Sequence, residues 1–139
     1  MAARIRRDAV EILQTQEWAR PRGYVSGIKA KGSIVALAGQ VGWNENEVFE
    51  TEVIAEQVRA ALKRVVRLLK EAGGGPEHLV RLNLFMTDRD AYFAEAKAVG
   101  AAFRAELGDH FPPVTAVEVS KLMVDEAKVE IEALAVIPD

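Results

Sequence analysis

The chain has no cysteine, only two histidines and few aromatic residues, and each shortage excludes a class of site. Without cysteine there is neither a disulfide framework nor a thiolate metal site. His78 and His110 stand alone, with no second histidine at helical or strand spacing. We therefore expect no metal site and no cofactor, since Walker, GxSxG and dinucleotide-binding motifs are absent as well.

Long apolar runs are also missing from the chain. No window approaches the roughly 18 uninterrupted apolar residues of a membrane-spanning helix. The opening residues, Met-Ala-Ala-Arg-Ile-Arg, lack the apolar stretch of a secretory signal peptide. We expect a soluble, cytoplasmic protein with no membrane partner.

The charge of the chain gives no reason to expect nucleic-acid binding, because the net charge is −3. Five cations share one helical segment: Arg59, Lys63, Arg64, Arg67 and Lys70. Glu52 and Glu56 precede them, which is the order that the helix dipole favours. No aromatic residues are interleaved to stack bases. We interpret these cations as a solvated helix face.

The 139 residues are expected to form one domain, over 1–139, of the α+β class. Apolar residues recur with a helical period over 52–72, and Gly73-Gly-Gly-Pro76 ends that helix. A second helix is predicted from a capping box at Thr87 and Asp90 to about Leu107. Its predicted inner face holds Phe93, Ala96, Gly100 and Phe103.

Strands are predicted over 10–13, 24–29, 34–40 and 79–86, followed by two closing strands. The glycine of Ala30-Lys-Gly32 predicts a hairpin between the second and third of them. Ile34-Val-Ala-Leu-Ala38 is apolar on both faces, so both faces need covering. Two helices cover only one face of a five- or six-stranded sheet, and the simplest cover for the other is a second copy of the chain. The sequence therefore predicts a homo-oligomer.

The two closing strands, 111–119 and 129–136, carry the residues of greatest chemical interest. Both alternate with a period of two residues. In the last strand, Glu130 and Glu132 share a face with Leu134 and Val136. Carboxylates on such a face lie either at a rim or in a pocket that uses them.

The order of these elements, with Tyr24 and the strand end Ala38-Gly-Gln40, resembles the RidA/YjgF family of imine and enamine deaminases over about 23–136. The resemblance implies the chorismate-mutase-like RidA fold, a mixed sheet backed by two long helices. It also implies a homotrimer with clefts for a small-molecule ligand between subunits. Members that hydrolyse imines need no cofactor.

The resemblance implies that Glu130 is the catalytic residue, because it matches the glutamate that positions or activates water beside the bound imine. Hydrolysis of C=N needs a group that takes a proton from water and returns one to the departing nitrogen. The alternative is a structural glutamate paired with Lys121 or Lys128. Glu132 is interpreted as structural.

Val114 is the main departure from the family pattern, since deaminases carry there an arginine that grips the substrate carboxylate. Valine cannot make that bidentate contact. Ala38 stands where many members have serine, while Thr115 keeps a hydroxyl beside the vacancy. The implied cleft is therefore more apolar than the usual deaminase cleft.

Three further residues are implied to bind substrate. Tyr24 matches the aromatic residue that lines the family's cleft, and Trp43 would form an apolar wall of the same cleft. Arg22, or its neighbour Arg20, would replace the missing cation; the alternative is an ordinary surface arginine.

Two functions follow from these residues. The first is hydrolysis of an imine or enamine other than the small 2-imino acids, with a larger or ring-derived substrate such as 2-aminomuconate. The second is a non-catalytic ligand-binding or regulatory trimer that keeps the cleft without its chemistry.

Overall fold

The computed structural model describes residues 10–139, which form six strands and three α-helices. The opening residues, where no signal peptide is predicted, lie outside this part. The strands are β1 (Val10–Leu13), β2 (Gly27–Ala30), β3 (Ser33–Val41), β4 (Leu79–Met86), β5 (Val114–Glu118) and β6 (Val129–Ile137). The helices are α1 (Ile54–Glu71), α2 (Arg89–Ala94) and α3 (Ala96–Leu107), with a 3₁₀ turn over Pro76–His78.

Helix α1 confirms the predicted apolar stripe. All six of its predicted members are buried: Ile54, Val58, Ala61, Leu62, Val65 and Leu69. The helix ends where glycine was expected to end it, since Gly73 has a φ of 82°. Burying this stripe against the sheet builds most of the core, since each large aliphatic side chain contributes about 1.5–3 kcal/mol.

The second predicted helix is wrong in one respect, because it breaks at Glu95 into α2 and α3. The Glu95 carboxylate accepts hydrogen bonds from the backbone N–H groups of Ile54 (3.3 Å) and Ala55 (3.1 Å). Val53, at the N-cap of α1, supplies no side-chain cap of its own. The carboxylate of Glu95, a residue distant in sequence, therefore accepts hydrogen bonds from free amides at the start of α1 and stabilises the positive end of the helix dipole.

The break also changes which residues face inward. Val99, Ala102 and Leu107 are buried, whereas Phe93 of the predicted inner face is 64% exposed. The helix start also differs from the predicted capping box, because Asp88, not Thr87, accepts the capping hydrogen bond, from Ala91 N–H at 2.9 Å.

The larger sheet has the strand order β3-β6-β4-β5. Strands β4 and β5 are parallel and the other neighbours are antiparallel, as expected of a mixed α+β sheet. Helix α1 packs on β3 and β6, and α3 packs beside α1. The opposite face of this sheet is called the outer face below. It carries alternate residues of all four strands: Ile34, Ala36 and Val41 of β3, Glu130, Glu132, Leu134 and Val136 of β6, Arg81, Asn83 and Phe85 of β4, and Thr115 and Val117 of β5.

The predicted hairpin between β2 and β3 is wrong. Strand β2 pairs with β1 in a separate two-stranded sheet and contacts β4. At the intervening turn Gly32 passes so close to β6 that a Cβ there would lie 2.2 Å from the Ile137 carbonyl oxygen. The turn therefore leads from the two-stranded sheet into the larger sheet without pairing β2 with β3.

Gln57 is the one polar side chain among the described residues that is fully buried. Its amide nitrogen donates to the carbonyls of Thr51 (3.0 Å) and Glu126 (3.2 Å), and its oxygen accepts from Lys128 N–H (2.8 Å). Gln57 thus connects α1 to the segment that leads into β6. Within residues 10–139, no helix combines the length and apolarity needed to cross a membrane.

Candidate functional site

Glu130 lies half-buried on the outer face, directly opposite Val41 of β3 and Phe85 of β4. Its neighbours Val129 and Ile131 point into the core, and this alternation turns Glu130 outward. Its carboxylate makes no hydrogen bond or ion pair with any described residue, and so neither Lys121 nor Lys128 pairs with it. The carboxylate therefore lacks the lysine partner that a purely structural role predicts.

A β-bulge at Ala38 and Gly39 makes room for this carboxylate. The register shifts by one residue between Leu37 and Gln40, so β3 carries one residue more than β6 here. A Cβ built on Gly39 would lie 2.4 Å from Glu130 Oε1. A larger residue at position 39 would therefore require the Glu130 side chain to shift. Ala38 is exposed.

A row of polar residues crosses the outer face next to Glu130. Glu132, Asn83 and Thr115 are register partners on β6, β4 and β5. Asn83 Nδ2 donates to Glu132 Oε1 at 2.7 Å, which agrees with a structural role for Glu132. Sequence reasoning missed Asn83, although an asparagine inside Leu-Asn-Leu was a signal. Thr115 is exposed at the end of the row, so its hydroxyl is accessible.

Val114 does not share the outer face with Glu130. It pairs with the fully buried Leu82 and packs against the hydrophobic core. Its neighbour Thr115 faces the other way, towards the polar row. The valine therefore brings no polar group to the outer face, and its packing accounts for a β-branched residue here.

Tyr24, Arg20 and Arg22 lie in the loop between β1 and β2, and all three are exposed. Within residues 10–139 they make no hydrogen bond or ion pair. The structure therefore places none of them in contact with Glu130 inside one chain.

Trp43 lies away from the outer face, in the loop over 42–51 that leads from β3 to α1. Its ring packs against Phe49, with ring centroids 5.9 Å apart. It lines a cavity of about 600 Å³ formed by this loop and the surface of α1. The structure thus brings Ala38, Gly39 and Glu130 together, with Thr115 nearby, and puts Trp43 elsewhere.

Within the described part of the chain, no three histidine or carboxylate side chains are placed to hold a metal ion. Burial raises the pKa of the Tyr92 phenol, so this group stays protonated at neutral pH. Tyr92 belongs to α2 and packs against the core, so it cannot act beside Glu130.

Comparison with known proteins gives a consistent result. A family model described as Endoribonuclease L-PSP matches residues 15–137. A 2-iminobutanoate/2-iminopropanoate deaminase from Salmonella typhimurium is 34% identical over 113 residues, 81% of this chain and 86% of the relative. The mitochondrial protein mmf1 from Schizosaccharomyces pombe is 31% identical over 81% of this chain and 67% of its own. A Rid-family protein of unknown function from Yersinia pestis shares the fold, with a TM-score of 0.83 at 23% identity, over 94% of this chain and all of the other.

Proposed function

Because the chain belongs to the RidA/YjgF family, whose sequence model carries the description Endoribonuclease L-PSP, we propose that it hydrolyses an imine or enamine other than the small 2-imino acids. An enamine first tautomerises to the imine. Water then adds across the C=N bond and the C–N bond breaks, which leaves a carbonyl compound and ammonia. No redox partner is needed, since no electrons leave the substrate.

The unpaired carboxylate of Glu130 carries this proposal. It lies over Gly39, between the apolar side chains of Val41 and Phe85. A carboxylate in such surroundings takes a proton from the attacking water and returns it to the departing nitrogen. Its lack of a structural partner supports this role, since a carboxylate held by a lysine would first have to be released.

The residues near Glu130 support a substrate that does not depend on an arginine to anchor its carboxylate. Ala38 offers no polar side chain, and Val114 is packed on the core. Thr115, at the end of the polar row, would hydrogen-bond a neutral carbonyl or one carboxylate oxygen. Among the described residues, no arginine or lysine is paired with Glu130 or Glu132. Tyr24, Arg22 and Trp43 are proposed to act only from a neighbouring subunit.

The first test is therefore one of substrate range. An amino-acid oxidase would generate the 2-imino acid in situ and the larger substrate would be supplied directly, and release of the carbonyl product would be measured with and without the protein. We expect little acceleration with 2-iminopropanoate and clear acceleration with a larger substrate such as 2-aminomuconate. Loss of a buried charge partner costs about 2–5 kcal/mol, so a deficit of tens- to thousands-fold is expected for the small imino acid. The Salmonella relative serves as the matched control, and an equal rate on 2-iminopropanoate would contradict the expected range.

The outer face supports assembly into a homotrimer with clefts between the subunits. Ile34 and Val117 on this face are 73% and 43% exposed. Leu134 and Val136 lie on the same face, and Val136 pairs with Ile34. Monomeric proteins seldom leave such a sheet face open, and a second copy is its simplest cover. The clefts would then bring Tyr24 and Arg22 of one copy to Glu130 of another.

Assembly is tested by light scattering coupled to size exclusion. We expect a mass near three times that of the 15.2 kDa chain. A folded species with the mass of one chain would contradict the covered sheet face. It would also leave Glu130 without a partner subunit to complete the cleft.

Nucleic-acid cleavage, which the description of the family model suggests, is less well supported. Of the cations along α1, Arg59 pairs with Glu106 and Arg67 with Glu71. Arg64 donates to Gln40. Ion pairing therefore weakens the attraction of phosphates to Arg59 and Arg67, and no aromatic residues alternate with the five cations to stack bases. This helix thus offers a poor surface for a polynucleotide.

A non-catalytic ligand-binding trimer is the second candidate. Within the described residues no cation is paired with Glu130, and this favours the second candidate. A cleft without such a cation can still bind a ligand, although it does not hold a substrate carboxylate in position for hydrolysis. The substrate panel separates the two functions: a binder shows ligand-induced stabilisation with its ligand and no release of ammonia.

A further inference from the structure

A second cavity lies on the helix side of the chain, between the loop over 42–51 and α1. Its volume is about 600 Å³, within the usual range for small-molecule sites. Its charged and aromatic lining consists of Trp43, Glu45 and Glu50 of the loop and Glu56, Lys63 and Arg64 of α1. Glu130, on the outer face, does not line it.

The loop that forms one wall is fixed by its own hydrogen bonds. Asn44 Oδ1 accepts from the backbone N–H groups of Asn46 (2.9 Å) and Val48 (3.1 Å). Asn44 Nδ2 donates to Glu50 Oε1 at 2.9 Å. With Trp43 packed on Phe49 as well, the wall is formed before any ligand binds.

Charges of both signs line this cavity without pairing. Neither Lys63 nor Arg64 makes an ion pair within residues 10–139, and neither do the carboxylates of Glu45, Glu50 and Glu56. Arg64 uses Nε on Gln40 Oε1 at 3.0 Å and directs Nη1 towards the Asn44 carbonyl at 3.5 Å. Its Nη2 makes no bond among these residues.

Two of the three lining carboxylates accept hydrogen bonds from neutral donors. Glu50 accepts from Asn44, and Glu56 accepts from the Thr51 hydroxyl. Each keeps a second oxygen for another donor. Within this lining, therefore, the cations and the carboxylates form no ion pairs with each other.

We propose that this cavity binds a small zwitterion, namely a free α-amino acid with an apolar side chain. The ligand's carboxylate contacts Lys63 and Arg64, its ammonium group contacts Glu50 and Glu56, and its side chain packs on Trp43. A simple anion meets repulsion from the carboxylates of the lining, and a simple cation meets it from Lys63 and Arg64. Only a ligand with both charges satisfies both groups. Binding here is independent of hydrolysis at Glu130.

Tryptophan fluorescence provides the test, since the chain has two tryptophans and Trp18 is 65% exposed in the loop after β1. In a Trp18→Phe variant, Trp43 alone reports. L-isoleucine and L-phenylalanine are titrated, with N-acetyl-L-isoleucine, which lacks the ammonium group, and 2-methylbutylamine, which lacks the carboxylate. We expect a saturable change with the amino acids and at least about tenfold weaker binding of both analogues, since each lacks one charge-assisted contact.

Two variants locate the binding site. Lys63→Gln is expected to weaken binding of the amino acids about tenfold, for the same lost contact. Lys70→Gln, on the same helix but outside the cavity, serves as its control and leaves binding unchanged. Calorimetry on the unaltered chain guards against an effect of the tryptophan substitution. Equal binding of either analogue, an equal effect of both lysine variants, or no saturable binding of either amino acid in the millimolar range would each overturn the proposal.

Discussion

Replacing Glu130 by glutamine is expected to lower the rate of imine hydrolysis at least about 100-fold on whichever substrate the panel identifies, because positioned proton transfer contributes that much or more. The amide keeps the size of the side chain and the close contact over Gly39. It cannot take a proton from water. The measurement is kcat from carbonyl release, with the mass of the assembly checked by light scattering.

Glu132→Gln is the matched control for this change. It alters the same residue type on the same strand face two positions away, and its new amide still accepts the hydrogen bond from Asn83. We expect at most a few-fold change in kcat. Full activity in Glu130→Gln, or equal losses in both variants, would remove Glu130 from the role of acid and base.

Replacing Gln57 by leucine is expected to give the largest loss of stability. The substitution leaves the carbonyls of Thr51 and Glu126 and the N–H of Lys128 without their partner in the interior. A buried group that loses its hydrogen bond costs about 1–3 kcal/mol. Partial access of water to three such groups gives a total of about 3–5 kcal/mol. Thermal unfolding should then shift downwards by on the order of 10–15 °C.

Arg67→Leu on the exposed side of α1 is the control, because it introduces the same side chain and removes only an ion pair with Glu71. Such a surface pair is worth a few tenths of a kcal/mol. Both variants are compared in urea at one protein concentration, since assembly adds to apparent stability. A Gln57→Leu protein as stable as Arg67→Leu would mean that water replaces the lost hydrogen bonds.

The sequence predicted the parts of the fold that depend on local patterns. The helical period of α1, its glycine end at Gly73 and the bounds of β4 are confirmed. The alternation of the last strand also predicted correctly that Glu130 and Glu132 share a face. These features need only neighbours within a few residues, so a single sequence carries them.

Features that depend on distant residues were not predictable in this way. Glu95 caps a helix that begins about 40 positions earlier, and that contact interrupts a segment whose composition suits one continuous helix. Asn83 meets Glu132 only because β4 and β6 are neighbours in the sheet. Gln57 could have been noticed in the sequence, since it is a polar residue among the buried positions of the apolar stripe. The roles of Tyr24, Arg22 and Val114 stay predictions, because they depend on a cleft between copies of the chain.

The bulge at Ala38 and Gly39 has a consequence for insertions and deletions in this chain. One extra residue reverses which side of β3 the following residues occupy, and so Gln40 reaches Arg64 while its own amide donates to the Ala38 carbonyl. A chain lacking one of these two residues would keep an almost identical composition, yet Gln40 would face away from α1. Glu130 would also lose the space over Gly39 that its carboxylate occupies. The number of residues between Leu37 and Gln40 is therefore as informative as their identity. Relatives whose strand is one residue shorter here should lack both the Gln40–Arg64 contact and the space over Gly39 for the Glu130 carboxylate.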